Sequence, residues 1–198
     1  MGLNLNYQYG QTPLEEEEME GLKIASISTK AELDEFERMN IEDALRWVLG
    51  KKWEAEKILT ENFTCDLHHR MYGKVWKWAG AFRTTAKNIG VPAFGIPVAL
   101  RQLLDDTMYW IQHGTFPPDE TAIQFKHRLV SIHCFPNGNG RHSRLMADII
   151  AEKIFRLPVF TWGHLSYHNS SEARKIYIEA VKAADRGNIN GLLDFARG

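Results

Sequence analysis

One stretch of this chain resists a helical reading, and it frames everything else. Residues 82–97, FRTTAKNIGVPAFGIP, concentrate Thr, Gly, Pro and β-branched residues, which weaken or interrupt helices. They predict two short extended segments joined by a turn, a β-hairpin flap. On both sides of it the apolar residues recur at helical spacing. Residues 30–49 place Leu33, Phe36, Ala44, Leu45, Val48 and Leu49 in that pattern. Thr60 caps a second helix in which Phe63, Leu67 and Met71 lie four apart. Pro97 opens a third helix, and Pro117-Pro118-Asp119 a fourth that runs to Ile132. A fifth carries Leu145, Met146, Ile149, Ile150 and Ile154 and stops before Pro158. Asn169 and Glu172 have capping-box spacing for a sixth, which Gly187 stops, and a short last helix holds Leu192, Leu193 and Phe195. The expected fold is all-α: a compact helical bundle with one β-hairpin flap beside an active-site loop. We expect two parts, an N-terminal segment 1–28 and a helical domain 29–198. Within the first, Thr12 and Pro13 predict the start of a short helix over residues 13–20, rich in acids near its positive end.

Composition excludes several classes. The 198 residues carry 24 Lys plus Arg against 25 Asp plus Glu, a net charge of -1. No overall positive field draws such a chain to nucleic acid or anionic lipid. No apolar run is long enough to span a bilayer. The first residues lack the basic and apolar regions of a signal peptide. Two cysteines make neither a disulfide framework nor a four-thiolate zinc site, and the eight histidines form no HExxH pattern. A reducing, cytoplasmic setting is expected. Six tryptophans read as core and rim aromatics rather than base-stacking platforms.

The segment 131–144, SIHCFPNGNGRHSR, carries the chemistry. A helix ends near Ile132 and another begins near Gly140 or Arg141. Two glycines between them permit positive φ and close approach of a ligand. The free N–H groups of the following helix make its start an anion site. Arg141 and Arg144 lie three apart on the first turn, where the dipole disfavours cations. A polyphosphate would supply the missing negative charge, read by forked guanidinium donors. His133, immediately before the loop, is suited to act as a general base. The alternative for each residue alone is structural: a buried histidine, and an Arg144–Asp148 pair one turn on. This spacing is neither a Walker loop nor a dinucleotide fingerprint.

HCFPNGNGRHSR resembles the signature of the Fic family, HPFx(D/E)GNGRxxR, through His133, Phe135, Gly138, Asn139, Gly140, Arg141 and Arg144. Trp76-Lys77-Trp78-Ala79-Gly80 with Phe82-Arg83-Thr84 is similar to the family's segment before its flap. Tyr177–Val181 and Ala184–Asn188 are similar to its later helices. TPL…EGL, FRTT.KNIGV and the late FTWG resemble the branch called mobile mystery protein B. The resemblance implies a protein adenylyltransferase that moves AMP from ATP to a Ser, Thr or Tyr hydroxyl. It assigns His133 as the base and Gly138, Asn139 and Gly140 as the α-phosphate anion hole. It gives Arg141 the β-phosphate and Arg144 the γ-phosphate. It makes Lys87, Asn88, Ile89, Gly90 and Val91 the flap edge that binds the target as an added strand. It also implies a small helix-turn-helix regulator as partner.

Two departures stand out. Cys134 replaces the family's Pro and reads as packing. Asn137 replaces the acid that holds Mg²⁺, and an amide oxygen is a weaker ligand for a hard cation. The second reading is therefore a catalytically weak nucleotide-binding or toxin-like module, or a related phosphate-containing transfer. Many members carry an inhibitory helix, (S/T)xxxE(G/N), whose Glu pairs with the second motif Arg. Glu20-Gly21 fits its end, although Glu16 stands where Ser or Thr is expected. We therefore expect Glu20 to face Arg144.

Overall fold

The computed structural model describes residues 12–163 and 170–198. The elements, in order, are α1 (Glu16–Met19), α2 (Lys30–Leu49), α3 (Ala55–Ile58), α4 (Glu61–Tyr72), α5 (Ile96–His113), α6 (Pro118–Ile132), α7 (Asn139–Ile149), α8 (Ser170–Asp185) and α9 (Asn190–Arg197). A 3₁₀ turn, Ala93–Gly95, leads into α5, and a π-helical turn, Ile150–Ile154, extends α7. Among the described residues there is no β-ladder; Leu22 and Trp76 form an isolated antiparallel bridge. The Asn169 cap expected for α8 lies outside the described residues.

Local chemistry explains most boundaries. Thr29 caps α2 by accepting Glu32 N–H, and Glu32 returns a bond to the Thr29 N–H, a full capping box. Thr60 caps α4 by accepting Phe63 N–H at 3.1 Å. Pro sits in the first turn of both α5 and α6, where its missing N–H costs nothing. The acidic α1 is shorter than predicted. Glu15 is its N-cap, in a capping box with Glu18, so Thr12 and Pro13 precede it in extended chain. Helix α3, one turn long, went unpredicted because four residues are too few to show a period.

Helices α4, α5, α6 and α7 enclose the centre of the core. Leu67, Leu100, Leu103, Ile123, Phe125, Phe135 and Met146 are all fully buried there. Each such side chain contributes about 1.5–3 kcal/mol by leaving water. Leu14 and Ile27 belong to the same core, so the segment before α2 packs on the bundle. The structure corrects one element. Residues 82–92 form no hairpin. Their two legs bond outward to the end of α6 and the loop after it: Arg83 N–H donates to the Cys134 carbonyl at 2.9 Å, and Val91 N–H to the Ile132 carbonyl at 3.3 Å. Polar groups that a hairpin would pair internally are used to fasten the flap over the site.

Candidate active site

Helix α6 ends on a residue that does not favour the shape it takes. His133 has φ 58° and ψ 61°, a left-handed C-cap. For a non-glycine residue that conformation costs on the order of 1 kcal/mol. It turns the chain sharply into the loop 134–138 and aims the ring inward. His133 is 4% exposed, and neither ring nitrogen reaches a hydrogen-bonding partner among the described residues. Burial, then the charges of Arg83 and Lys87, lower its pKa to about 4. It is therefore neutral at pH 7 and able to accept a proton.

The loop is fixed by its own side chains. Asn139 accepts the Phe135 N–H at 3.0 Å and donates to the Phe135 carbonyl at 2.7 Å, stapling both ends of the turn. Asn137 Oδ1 accepts the Gly138 N–H at 2.6 Å. Gly138 caps α7 at φ 79°, and a Cβ there would lie 2.6 Å from the Tyr72 ring. Only glycine allows that approach and that φ. The first N–H groups of α7, at Asn139, Gly140 and Arg141, lie ahead of the first full helical turn, as helix starts require. His142 N–H bonds back to Gly138. The side chain of Asn139 is thus a staple, and what it can offer an anion is its backbone.

The two arginines lie against different walls. Arg141 pairs with Glu37 of α2 at 2.7 Å and sits 5.1 Å from the Tyr72 ring centre. Arg144 lies 4.5 Å from the Tyr177 ring and 5.9 Å from that of Trp162. Asp148 does not form a direct pair with Arg144 among the described residues. It accepts from Trp162 Nε1 at 3.1 Å and from Phe160 N–H at 3.0 Å, and burial raises its pKa to about 6.

The flap closes over His133. At Gly90, φ 99°, an added Cβ would sit 2.7 Å from His133 Cβ and 2.8 Å from the Arg83 guanidinium. No other residue fits there. Of the predicted edge, Asn88, Ile89 and Gly90 are exposed, Val91 is tied to Ile132, and the Lys87 side chain is buried. Glu20 is exposed at the end of α1, and among the described residues it makes no ion pair with Arg144. The acid of this helix that reaches the site is Glu18.

Several site residues escaped the sequence reading. Arg83, 3% exposed, donates to the carbonyls of His133 at 2.7 Å and Thr85 at 2.9 Å, and to that of Val91. Gly80 N–H donates to His68 Nδ1 at 3.0 Å, so Nε2 carries the proton and donates to the Asn137 carbonyl at 3.0 Å. His68 also stacks on Phe135 with ring centres 3.7 Å apart. Glu37 accepts Trp76 Nε1 at 2.7 Å besides holding Arg141. Lys126, fully buried, donates to the Tyr177 hydroxyl at 2.5 Å, on the ring that carries Arg144. Glu37 and Lys126 did leave a signal: each is a charge on the buried stripe of its helix, Leu33-Glu37-Asn40-Ala44-Val48 and Ile123-Lys126-Leu129. Cys134 is buried and its thiol is pushed up to about 12, as a packing residue's would be.

No group of three or more His, Cys, Asp or Glu able to hold a metal occurs among the described residues. Asn137 Oδ1 is already taken by Gly138 N–H. These donors do not fit a protein-built Mg²⁺ site, which ordinarily uses one or two carboxylates beside the phosphates. No helix among the described residues is long and apolar enough to cross a membrane.

Comparison with known proteins follows the same ground. The model of the Fic/DOC family matches residues 58–151. The chain is 24% identical to protein adenylyltransferase Fic of Nematostella vectensis over 174 residues, covering 86% of this chain and 39% of that protein. It is 28% identical to the protein of the same name from Drosophila grimshawi over 134 residues, covering 66% of this chain and 26% of that one. It spans well under half the length of these curated relatives. BepC of Bartonella tribocorum, solved with bound AMPPNP, superposes with TM-score 0.67 at 17% identity, covering 92% of this chain and 97% of that one. Fic-1 of C. elegans superposes with TM-score 0.63 at 22% identity, covering 80% and 46%. The helical scaffold is that of these proteins, and residues 58–151, which hold α4 to α7, the flap and the glycine loop, are the part of the chain that matches the Fic/DOC family model.

Proposed function

We propose that this domain is a protein adenylyltransferase, moving AMP from ATP to a Ser, Thr or Tyr hydroxyl of a target protein. The observation that carries the reading is the joint between α6 and α7. There a neutral, inward-facing His133 stands one loop away from a glycine-capped helix start flanked by Arg141 and Arg144. In the reaction the target oxygen attacks the α-phosphorus, and the bond to the bridging oxygen of the β-phosphate breaks. Diphosphate leaves, and a ring nitrogen of His133 takes the hydroxyl proton. Backbone N–H groups of Asn139 and Gly140 stabilise charge on the α-phosphate, that of Gly138 joins them on leaving the Asn137 amide oxygen, and the two guanidiniums hold the leaving diphosphate. Glu37, itself held by the Trp76 indole, takes Arg141 by one terminal nitrogen and so orients the guanidinium for that contact. The relatives' names support this reading over a purely binding role.

Asn137, its oxygen already engaged, favours the second reading, a nucleotide-binding module with slow turnover or a related phosphate-containing transfer. On either reading the setting is a reducing cytoplasm, in keeping with the unpaired thiols of Cys65 and Cys134, and a small helix-turn-helix regulator is the partner the sequence resemblance offers. ATP labelled on its α-phosphate, compared with ATP labelled on its γ-phosphate, decides between the readings. Label entering protein supports adenylyl transfer. Label entering only from the γ-phosphate establishes phosphorylation, and no incorporation with measurable ATP binding establishes the module.

A further inference from the structure

Glu18 is 6% exposed, while its neighbours Glu15, Glu16 and Glu17 face solvent. Its Oε1 accepts the Thr85 hydroxyl at 2.6 Å, and its Oε2 accepts Lys87 Nζ at 2.6 Å. The Lys87 side chain is 2% exposed; it also donates to the Pro13 carbonyl at 3.1 Å and lies 3.7 Å from a carboxylate oxygen of the exposed Glu15, a second, looser ion pair from the same strip. Farther along the same strip, Asn137 Nδ2 donates to the Thr12 carbonyl at 3.2 Å. The extended residues 12–15 and the first turn of α1 therefore run from the glycine loop to the flap. They lie beside His133, whose charge environment includes both Lys87 and Glu18.

A buried ammonium needs a counter-charge, and leaving it unpaired costs far more than the pair gains. Once Glu18 withdraws, Thr85 and Lys87 present a hydroxyl and an ammonium spaced for one carboxylate. A segment with an acidic side chain restores the pair, and a neutral one does not. We propose that Thr85 and Lys87 form a carboxylate-recognition site on the flap, which selects target segments bearing an acidic side chain, and that Glu18 fills it in the resting chain as an internal competitor. This rests on the transfer reading for its consequence, control of which target reaches His133, but not for the binding itself. The control differs from a Glu20–Arg144 block: it closes the target's seat and leaves Arg144 to the nucleotide.

The test uses the full chain and two fluorescein-labelled peptides spanning residues 12–20. Both are C-terminal amides: TPLQQQEMQ keeps only the side-chain carboxylate of position 18, and TPLQQQQMQ has no acidic side chain. Glu18→Lys places like charge against Lys87 and expels the strip, and Glu18→Gln weakens the strip without new charge. By fluorescence anisotropy both variants should bind the first peptide about tenfold more tightly than the second, as a charged hydrogen-bonded contact gives. Wild type should bind it at least tenfold more weakly than Glu18→Lys does. Adding Lys87→Met should erase the preference. Equal affinity for the two peptides, or no binding by either variant, overturns the proposal. Peptide preference without transfer from α-labelled ATP removes the transfer reading and leaves the flap site standing. Transfer without peptide preference does the reverse.

Discussion

The glycine loop and the flap meet at His133 but are held in opposite ways. The loop, residues 134–138, is fastened from within and below: Asn139 staples Phe135, Gly138 packs on Tyr72, and His68 bonds Asn137 while stacking on Phe135. The flap, residues 82–92, has no ladder of its own and depends on Arg83, two backbone bonds and the Glu18 contact. A phosphate cradle must be preorganised, because donors that reorganise during reaction lose their advantage. A surface that exchanges one protein segment for another must be drawn from the less stable part of the structure.

Substitutions should separate these two regions. The largest effect is expected at their junction. His133→Ala should lower transfer from labelled ATP by about 10²–10⁴, the usual contribution of a general base, with nucleotide affinity within a few-fold by calorimetry. An unchanged transfer rate would take His133 out of the chemistry. In the loop, Asn139→Ala leaves the buried N–H and C=O of Phe135 unpaired, which should cost about 2–3 kcal/mol in urea unfolding. Wild-type stability in that variant would mean the staple is dispensable.

In the flap, Arg83→Ala should cost less, about 1–2 kcal/mol, because the part-buried carbonyls of Thr85 and Val91 regain water and that of His133 alone is left at a buried site. Its signature should be local: faster proteolysis and amide exchange within residues 84–92 at nearly unchanged protection of α6 and α7. Uniform loss of protection would mean that loop and flap are one unit.

The smallest effect is spread over the buried histidines. Burial lowers the pKa of His133 and His142 to about 4, and that of His68 well below its usual value. Between that level and the ordinary value near 6.5 the unfolded chain binds protons that the folded one refuses. Stability should therefore fall as pH drops from about 6.5 towards 4. Asp148, raised to about 6, opposes this by taking up a proton in the folded state. A Tm lower by a few degrees at pH 5 than at pH 7 is expected by calorimetry. A rise over that interval would mean that Asp148 outweighs the histidines.

Much of this was legible in the residues. Helix α2 was read to its ends, 30 and 49, from the apolar spacing alone, and the Thr29–Glu32 capping box found in the structure agrees with that start. The cradle was legible because Gly138 and the arginines have few other uses at that spacing. The flap was misread for a physical reason. Thr, Gly and Pro announce that a helix is impossible, but not whether the freed polar groups pair with each other or with another segment. Arg83 was quoted only as part of a familiar string, since nothing local says that a guanidinium will be spent on three carbonyls. Glu20 was named from the Glu20-Gly21 ending of the family pattern; which acid is buried depends instead on where the short helix starts, and the Glu15–Glu18 box sets that start three residues after Thr12.

Arg83 also bears on timing. One side chain grips both legs of the flap and the carbonyl of the proton acceptor. A flap opened about that guanidinium would act as a lever on the histidine backbone to which it is tied. Opening would be limited by the breaking of the Glu18 contact rather than by refolding of the loop. Such a lever sets how long a bound segment dwells beside His133, and much less how often one arrives.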